Sequence, residues 1–290
     1  MPEGDTVHRL AQRLQPLEGR TITHSDFRVP SLATLDLRGR TIERVWAWGK
    51  NLYWRCSGVD DDLVVHTHLK MEGTWRLHPA GSRWRLPAHS ARVVVRVSGS
   101  PDRSAEVEVV GHWLGRVEVF PAAEFARRTA HLGPDPLDPD WDHPGRWPHP
   151  GREEATLRLA AARDAGRTIG EALLDQSIMA GVGNEYRNEV CFLLGLHPAA
   201  PASRAEPAQV TELVGRVMHA AQRGPLRVFT GIDHPGETSF VFGRNHKPCR
   251  RCGTPIRSGS LGGASSVADP EVDRERVIWW CPTCQPEPAG

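Results

Sequence analysis

The chain has 290 residues, 39% of them hydrophobic, and a formal net charge of +1. Length and apolar content allow two domains with ordinary cores, and the near-neutral balance excludes a global basic field. No stretch is apolar for long enough to span a membrane, and the N-terminus lacks the apolar region of a signal peptide, so the expectation is a reduced, cytoplasmic protein with no membrane partner.

The first residues carry unusual chemistry. Removal of Met1, which a proline in second position permits, makes Pro2 a secondary-amine N-terminus beside the Glu3 carboxyl. An α-amino group titrates near ~7.7–8.0, against ~10.4 for Lys, so far more of it is neutral and nucleophilic at pH 7. Val7, Leu10, Ala11, Leu14 and Leu17 then recur at helical spacing up to Gly19, with Asp5 or Thr6 as the expected N-cap. Taken alone, these residues could be no more than a leader into a helix.

Residues 21–120 read as short strands: a hairpin over 41–56 around Gly49, then 63–69, 74–77, 92–97, 106–110 and 116–120. Alternation such as Val93, Val95 and Val97 against Val94 and Arg96 predicts half-buried antiparallel β structure, hence a sandwich or barrel. Lys50 sits at the Gly49 turn and is one of only three lysines, with Lys70 and Lys247, in a chain whose other basic residues are arginines. Lys70, Met71 and Glu72 follow a strand end, where an exposed Met could wedge into a base stack.

Regular structure is expected to fail over 121–151, where prolines recur at 134, 136 and 139, and an interdomain linker is placed there. Helical periodicity returns over 154–165, 168–178 and 207–222. Between the last two, Gly181 and Gly183 precede Asn184, the expected N-cap of a further helix whose free N–H groups suit phosphate.

Cys249, Cys252, Cys281 and Cys284 form two Cys-x-x-Cys knuckles, matching one closed, tetrahedral, structural Zn²⁺ site. The 28 residues between the knuckles exceed the usual spacing, and 262–273 reads as an insertion in a hairpin loop. Arg244, Arg250, Arg251, Arg257, Arg274 and Arg276, with Trp279 and Trp280, make this a basic, aromatic element. Cys56 and Cys191, alone in apolar runs, are expected to be buried thiols.

In order and together, these pieces resemble the formamidopyrimidine-DNA glycosylase / endonuclease VIII family. The resemblance rests on Pro2-Glu3-Gly4, Gly49-Lys50, the Leu-x-Met-x-Gly loop at 69–73, Leu132-Gly133-Pro134-Asp135-Pro136-Leu137 and Asp175-Gln176. It continues through Ala180-Gly181-Val182-Gly183-Asn184, Leu196-His197-Pro198, Phe242-Gly243-Arg244, and Arg276 ahead of Cys281-Pro282-x-Cys284-Gln285. The resemblance implies an α+β multidomain fold. Its parts would be a catalytic β-sandwich with an N-terminal helix over 1–125, a linker over 126–150, a helix–two-turns–helix domain over 151–235 and a zinc-finger hairpin over 240–290.

It also implies a bifunctional DNA glycosylase and abasic-site lyase of base excision repair. The enzyme would be a monomer in the cytoplasm, meeting damaged duplex DNA at the nucleoid. Pro2 matches the nucleophile, Glu3 the general acid and Lys50 the phosphate-contacting proton donor. Asn184 and Arg276 match the backbone grip, Met71 the residue filling the vacated stack, with Lys70 beside it. Arg244 matches a DNA-contacting position, and His131 stands where endonuclease VIII has an arginine. The opening Glu3-Gly4-Asp5-Thr6 resembles actinobacterial-type endonuclease VIII, which favours oxidised pyrimidines. The rivals are an oxidised-purine glycosylase and a non-catalytic damaged-DNA-binding paralogue.

Overall fold

The structure, a computed structural model, describes residues 2–58, 60–98, 105–143, 151–224, 226–261 and 276–288. The chain forms two compact units, Met1–Ala130 and His131–Gly290. Among the described residues no helix is long and apolar enough to cross a membrane.

The first unit begins with helix α1 (Gly4–Leu14), whose buried face is Val7, Leu10, Ala11 and Leu14. Two four-stranded antiparallel sheets follow. One has the order β1 (Ile22–Phe27), β6 (Ala91–Val97), β7 (Val107–His112), β5 (Thr74–Pro79). The other has the order β2 (Thr41–Trp48), β3 (Asn51–Ser57), β4 (Leu63–His68), β8 (Arg116–Pro121). Val93, Val95, Val97 and Val109 from the first sheet meet Ile42, Leu52, Trp54 and Val65 from the second, with the α1 face in the same cluster. Alternation in β6 thus sends Val93, Val95 and Val97 inward and Val94 to a smaller cluster with Ala91 and Val110 on the other face.

The sequence reading missed β1. It is an edge strand, burying Ile22 and Phe27 with polar residues between, and a register shift between Ile22 and His24 blurs its period. Beyond β8, a 3₁₀ turn and helix α2 (Phe125–Thr129) stand where regular structure was expected to fail.

The second unit contains α3 (Arg152–Asp164), α4 (Ile169–Leu174), α5 (Asn184–Leu194) and α6 (Pro207–Gln222). A two-stranded ribbon follows, β9 (Arg257–Leu261) and β10 (Arg276–Trp280). Thr168 and Glu171 form a reciprocal capping box on α4. Gly195, at φ 70°, ends α5, with Leu196 N–H donating back to the Cys191 carbonyl at 2.9 Å.

The expected linker is not a free tether. Leu132 to Leu137 are all buried, and Gly133 and Ala180 N–H groups pair with the Gln176 and Pro134 carbonyls at 2.8 Å. A Cβ on Gly133 would lie 2.4 Å from the Ser177 oxygen, so only glycine fits there. The prolines prevent a helix but leave a coil that packs; Trp141 likewise lies against Gly215 of α6. The inserted segment expected over 262–273 lies outside the described residues.

Candidate active site and nucleic-acid interface

In the first unit, Glu3 is the N-cap of α1, its carbonyl accepting from Thr6 and Val7 N–H at 3.0 and 3.2 Å. Neither Asp5 nor Thr6 is the cap, because the helix already starts at Gly4, ahead of both. Asp5 instead lies buried in the first turn and pairs with Arg9 at 2.9 Å, the i,i+4 spacing. Glu3 is fully buried and Pro2 is half-buried, so an acidic side chain is held against the chain's first ordered turn.

Helix α1 packs on β2 and β3, and the turn of that hairpin is Gly49-Lys50, with Gly49 at φ 59°. Asn51 Nδ2 donates to the Trp48 carbonyl at 3.2 Å across the turn. Behind it, His66 Nε2 lies 2.9 Å from Asn51 Oδ1 and His66 Nδ1 lies 3.0 Å from Glu118 Oε2. The His66 bond, chiefly, holds the Glu118 carboxyl below its ordinary range. Burial beneath Phe125, Trp46 and His66 pushes the Tyr53 hydroxyl well above its usual value.

Met71 is the most exposed large apolar side chain among the described residues, at 65%. Lys70 before it takes φ 55°, and its N–H donates to His68 Nδ1 at 2.9 Å. The loop is therefore shaped to present Met71, since a side chain in the left-handed region costs energy that a slack loop would shed.

In the second unit, Asn184 is the first residue of α5, and Gly183 rather than Asn184 is its N-cap. Asn184 Nδ2 instead donates to the Val277 carbonyl at 3.1 Å. Arg187 bonds to Asn184 Oδ1 and reaches the Val277 and Arg276 carbonyls at 3.1 and 3.4 Å. Asn188 Oδ1 accepts from Trp279 N–H at 2.8 Å, and its Nδ2 donates to the Asn184 carbonyl at 2.6 Å. Strand β10, whose first residue is Arg276, is thus hydrogen-bonded along α5, and Asn184 and Arg276 are brought together. Arg187 and Asn188 went unrecognised in the sequence; their i+3, i+4 spacing from Asn184 was the available signal.

Glu189, one position on, is fully buried and accepts from the backbone N–H groups of Phe240, Val241 and Phe242 at 2.8–2.9 Å. Burial pushes its carboxyl up to about 7, against the pull of those three donors. Arg244 is also buried. Its guanidinium donates to the Phe240 and Pro248 carbonyls, the latter at 2.8 Å, and so bridges two loop segments. His131 is exposed at the start of this unit.

The four knuckle cysteines converge, their sulfurs all within 4.8 Å of one another. Cys249 and Cys284 sulfurs are 4.0 Å apart, and Cys252 and Cys281 sulfurs 3.4 Å apart. A tetrahedron of thiolates at ~2.3 Å from a metal has edges near ~3.8 Å, so the donor set fits one ion with no position left for water. Gln285 fastens the second knuckle, accepting from Cys281 N–H at 3.0 Å and donating to the Leu196 carbonyl at 2.8 Å. Cys56 and Cys191 are buried, and burial pushes both thiols up to about 12, which keeps them inert.

Residues 1–116 match the formamidopyrimidine-DNA glycosylase N-terminal domain, and 132–225 match the formamidopyrimidine-DNA glycosylase H2TH domain. A probable endonuclease 8 2 of Streptomyces coelicolor is 44% identical, over 100% of this chain and 95% of its own length. A DNA-(apurinic or apyrimidinic site) lyase Nei2 of Mycolicibacterium smegmatis is 37% identical, over 98% of this chain and 99% of its own. Among solved structures, Lactococcus lactis formamidopyrimidine-DNA glycosylase bound to DNA containing an abasic site has a TM-score of 0.73 at 20% identity. It covers 98% of this chain and 100% of that one. The same glycosylase with DNA containing an oxidised pyrimidine has a TM-score of 0.71 at 20% identity, over 99% and 100% of the two chains. Fold, motif order and relatives agree: the chain belongs to the formamidopyrimidine-DNA glycosylase / endonuclease VIII family.

Proposed function

We propose that this protein removes oxidised pyrimidines from duplex DNA and cuts the resulting abasic site through an iminium formed on Pro2. Membership of the family makes the chain a DNA glycosylase and abasic-site lyase of base excision repair. The finer reading is supported above all by one feature: a fully buried Glu3 directly behind the half-buried Pro2. A carboxyl carried there serves as general acid for the sugar ring oxygen. The Pro2 nitrogen attacks C1′, the base leaves with its electron pair, and the C1′–O4′ bond then breaks, O4′ taking the Glu3 proton, so that the sugar ring opens to an iminium. That cation acidifies the C2′ proton; its loss expels the 3′ phosphate by β-elimination, and δ-elimination releases the sugar. Lys50 handles phosphate and proton. The target nucleotide must leave the stack first, and the exposed Met71, with Lys70 at its side, fills the gap.

Asn184 and Arg276 grip the DNA backbone, and His131 is a weaker contact on the exposed surface. The pyrimidine reading rests on the opening Glu3-Gly4-Asp5-Thr6, which resembles the endonuclease VIII side of the family. The metal is Zn²⁺, bound by Cys249, Cys252, Cys281 and Cys284; it stiffens the hairpin and takes no part in the chemistry. The active species is a monomer.

Borohydride trapping on abasic DNA tests the nucleophile. The adduct should map to residue 2, and one extra residue ahead of Pro2, which turns the amine into an amide, should abolish it. An adduct on Lys50 in the extended protein would overturn the assignment. Excision from duplexes carrying thymine glycol, 5-hydroxycytosine or 8-oxoguanine tests the lesion class, and a clear preference for 8-oxoguanine opposite cytosine would reject the pyrimidine reading.

A further inference from the structure

The outer face of the second sheet holds a polar chain that ends at the Lys50 turn. Asn51 on β3, His66 on β4 and Glu118 on β8 share one face: Tyr53 and Glu118 are the cross-strand partners of His66, and Asn51, the partner of His68, lies on the diagonal. The Trp48 carbonyl can only accept, so Asn51 turns its Nδ2 toward it at 3.2 Å and leaves Oδ1 facing His66. His66 therefore meets an acceptor at each ring nitrogen: Asn51 Oδ1 at 2.9 Å and Glu118 Oε2 at 3.0 Å. A neutral imidazole has one N–H and satisfies one of them; the imidazolium satisfies both.

We propose that His66 is a positioning residue that holds the Gly49-Lys50 turn through Asn51. The proposal rests on the reading of Lys50 as a group that meets the DNA.

The surroundings hold the ring in place. His66 is buried, and Tyr53 stacks on it with ring centroids 4.8 Å apart and planes 19° from parallel. From β8, Glu118 supplies a carboxylate, and Arg116 acts on the same carboxylate. From α2, Phe125 packs edge-on against Tyr53, and Arg128 also acts on Glu118. On β4 itself, His68 lies two residues along the same face. The Glu118 carboxyl sits below its ordinary range, chiefly through the His66 bond, so the anion that anchors the far end of the chain persists under mildly acidic conditions.

Removing His66 or Asn51 cuts this chain between β4 and the turn, and an amide flip of Asn51 would give up its bond to the Trp48 carbonyl.

The experiment compares strand cleavage of preformed abasic DNA by wild type, His66→Phe, Asn51→Ala, their double variant, Glu118→Gln and Lys50→Ala, with kcat and KM read separately and circular dichroism confirming each fold. His66→Phe keeps a ring on Tyr53 and removes both bonds. Its kcat should fall about tenfold, the worth of a hydrogen bond, with KM little changed. Asn51→Ala should behave alike, and the double variant should be no worse than either. Glu118→Gln, whose amide oxygen can still accept from His66, should lose less. Wild-type activity in His66→Phe, a loss confined to KM, or additive losses in the double variant would each reject the clamp. If Lys50→Ala cleaves like wild type, the Lys50 role falls and the clamp falls with it. If Lys50→Ala is impaired while His66→Phe is not, only the clamp falls.

Discussion

The two units of this chain are held together in different currencies. The first unit is a continuous apolar cluster spanning both sheets and α1, with Trp54 packed on Trp75 at 4.7 Å in its middle. In the second, the helices share an apolar cluster of their own, but the ribbon carrying Arg276 has a small core of Phe192, Val241, Cys249, Ile256 and Cys281. What fixes that ribbon is polar: Asn184, Arg187, Asn188, Glu189 and Gln285, each bonded to backbone, together with four converging cysteines. An apolar core tolerates local losses; a hydrogen-bonded mount gives way at whichever bond is removed. Removing these supports one at a time separates the two cases, with the largest effect expected at the four cysteines.

Cys252→Ser, or chelation, should cost the ribbon most. Structural zinc contributes on the order of 10 kcal/mol in small metal-folded elements. Stoichiometric metal should disappear, hydrogen-exchange protection over 249–261 and 276–285 should collapse, and DNA cleavage should fall at least a hundredfold as Arg276 loses its mount. The sandwich should melt as before. A zinc-free protein with full activity would contradict both the assignment and the contrast.

Trp54→Ala is the matching injury to the first unit. It empties a large site in a packed core and should cost about 3–5 kcal/mol, lowering the denaturant midpoint of the sandwich while metal content stays at one per chain. Loss of zinc in this variant would show that the units are not separately supported.

The contrast also explains what could be read in advance. Alternation in β6 and the Gly49 hairpin were legible because a sheet with one buried face imposes period 2 on its residues. The knuckles were legible because metal geometry constrains spacing. Strand β1 was not, being a polar edge. The burial of segment 132–137 was not legible, because proline density reports backbone conformation and says nothing about burial. The mount of the ribbon was invisible too. Asn188 meets Trp279 across 91 residues, and Arg244 looks in sequence like any arginine of a basic stretch, although its guanidinium is internally bonded. Likewise, nothing in the spacing of Asn51, His66 and Glu118 signals a chain of bonds; only strand register creates it.

Glu189 gives the mount a pH dependence. Its folded value of about 7 lies above the ordinary 4.5 of a glutamate, so the native state binds the proton more tightly than the unfolded state. The associated stability is complete below about 4.5 and is lost as pH rises through about 7. Across that window it amounts to about 3 kcal/mol. Urea unfolding of the second unit should weaken accordingly between those limits. Glu189→Gln should remove the slope and cost about 1–3 kcal/mol, because its amide nitrogen must face a backbone N–H that the carboxylate accepted. A slope that survives the substitution would assign the titration to another group.

The smallest expected effect is at Asn188, and it tests the mount most finely. Asn188→Ala removes the acceptor for Trp279 N–H and the donor to the Asn184 carbonyl, leaving both backbone groups buried beside a smaller side chain. The cost should be about 1–2 kcal/mol, too little to unfold the unit. Zinc should remain bound, since no cysteine is touched. What should change is the precision with which β10 lies along α5, and with it the backbone grip of Arg276. Affinity for abasic DNA should drop about three- to tenfold, with the salt dependence of binding reduced by up to ~0.9 in log–log slope if the Arg276 phosphate contact is lost. Trapping of the Pro2 adduct at saturating DNA should stay at the wild-type level. An Asn188→Ala protein with unchanged affinity and salt slope would mean that the thiolates and the Arg187 bonds alone fix the ribbon. The mount would then tolerate single losses much as the sandwich core does.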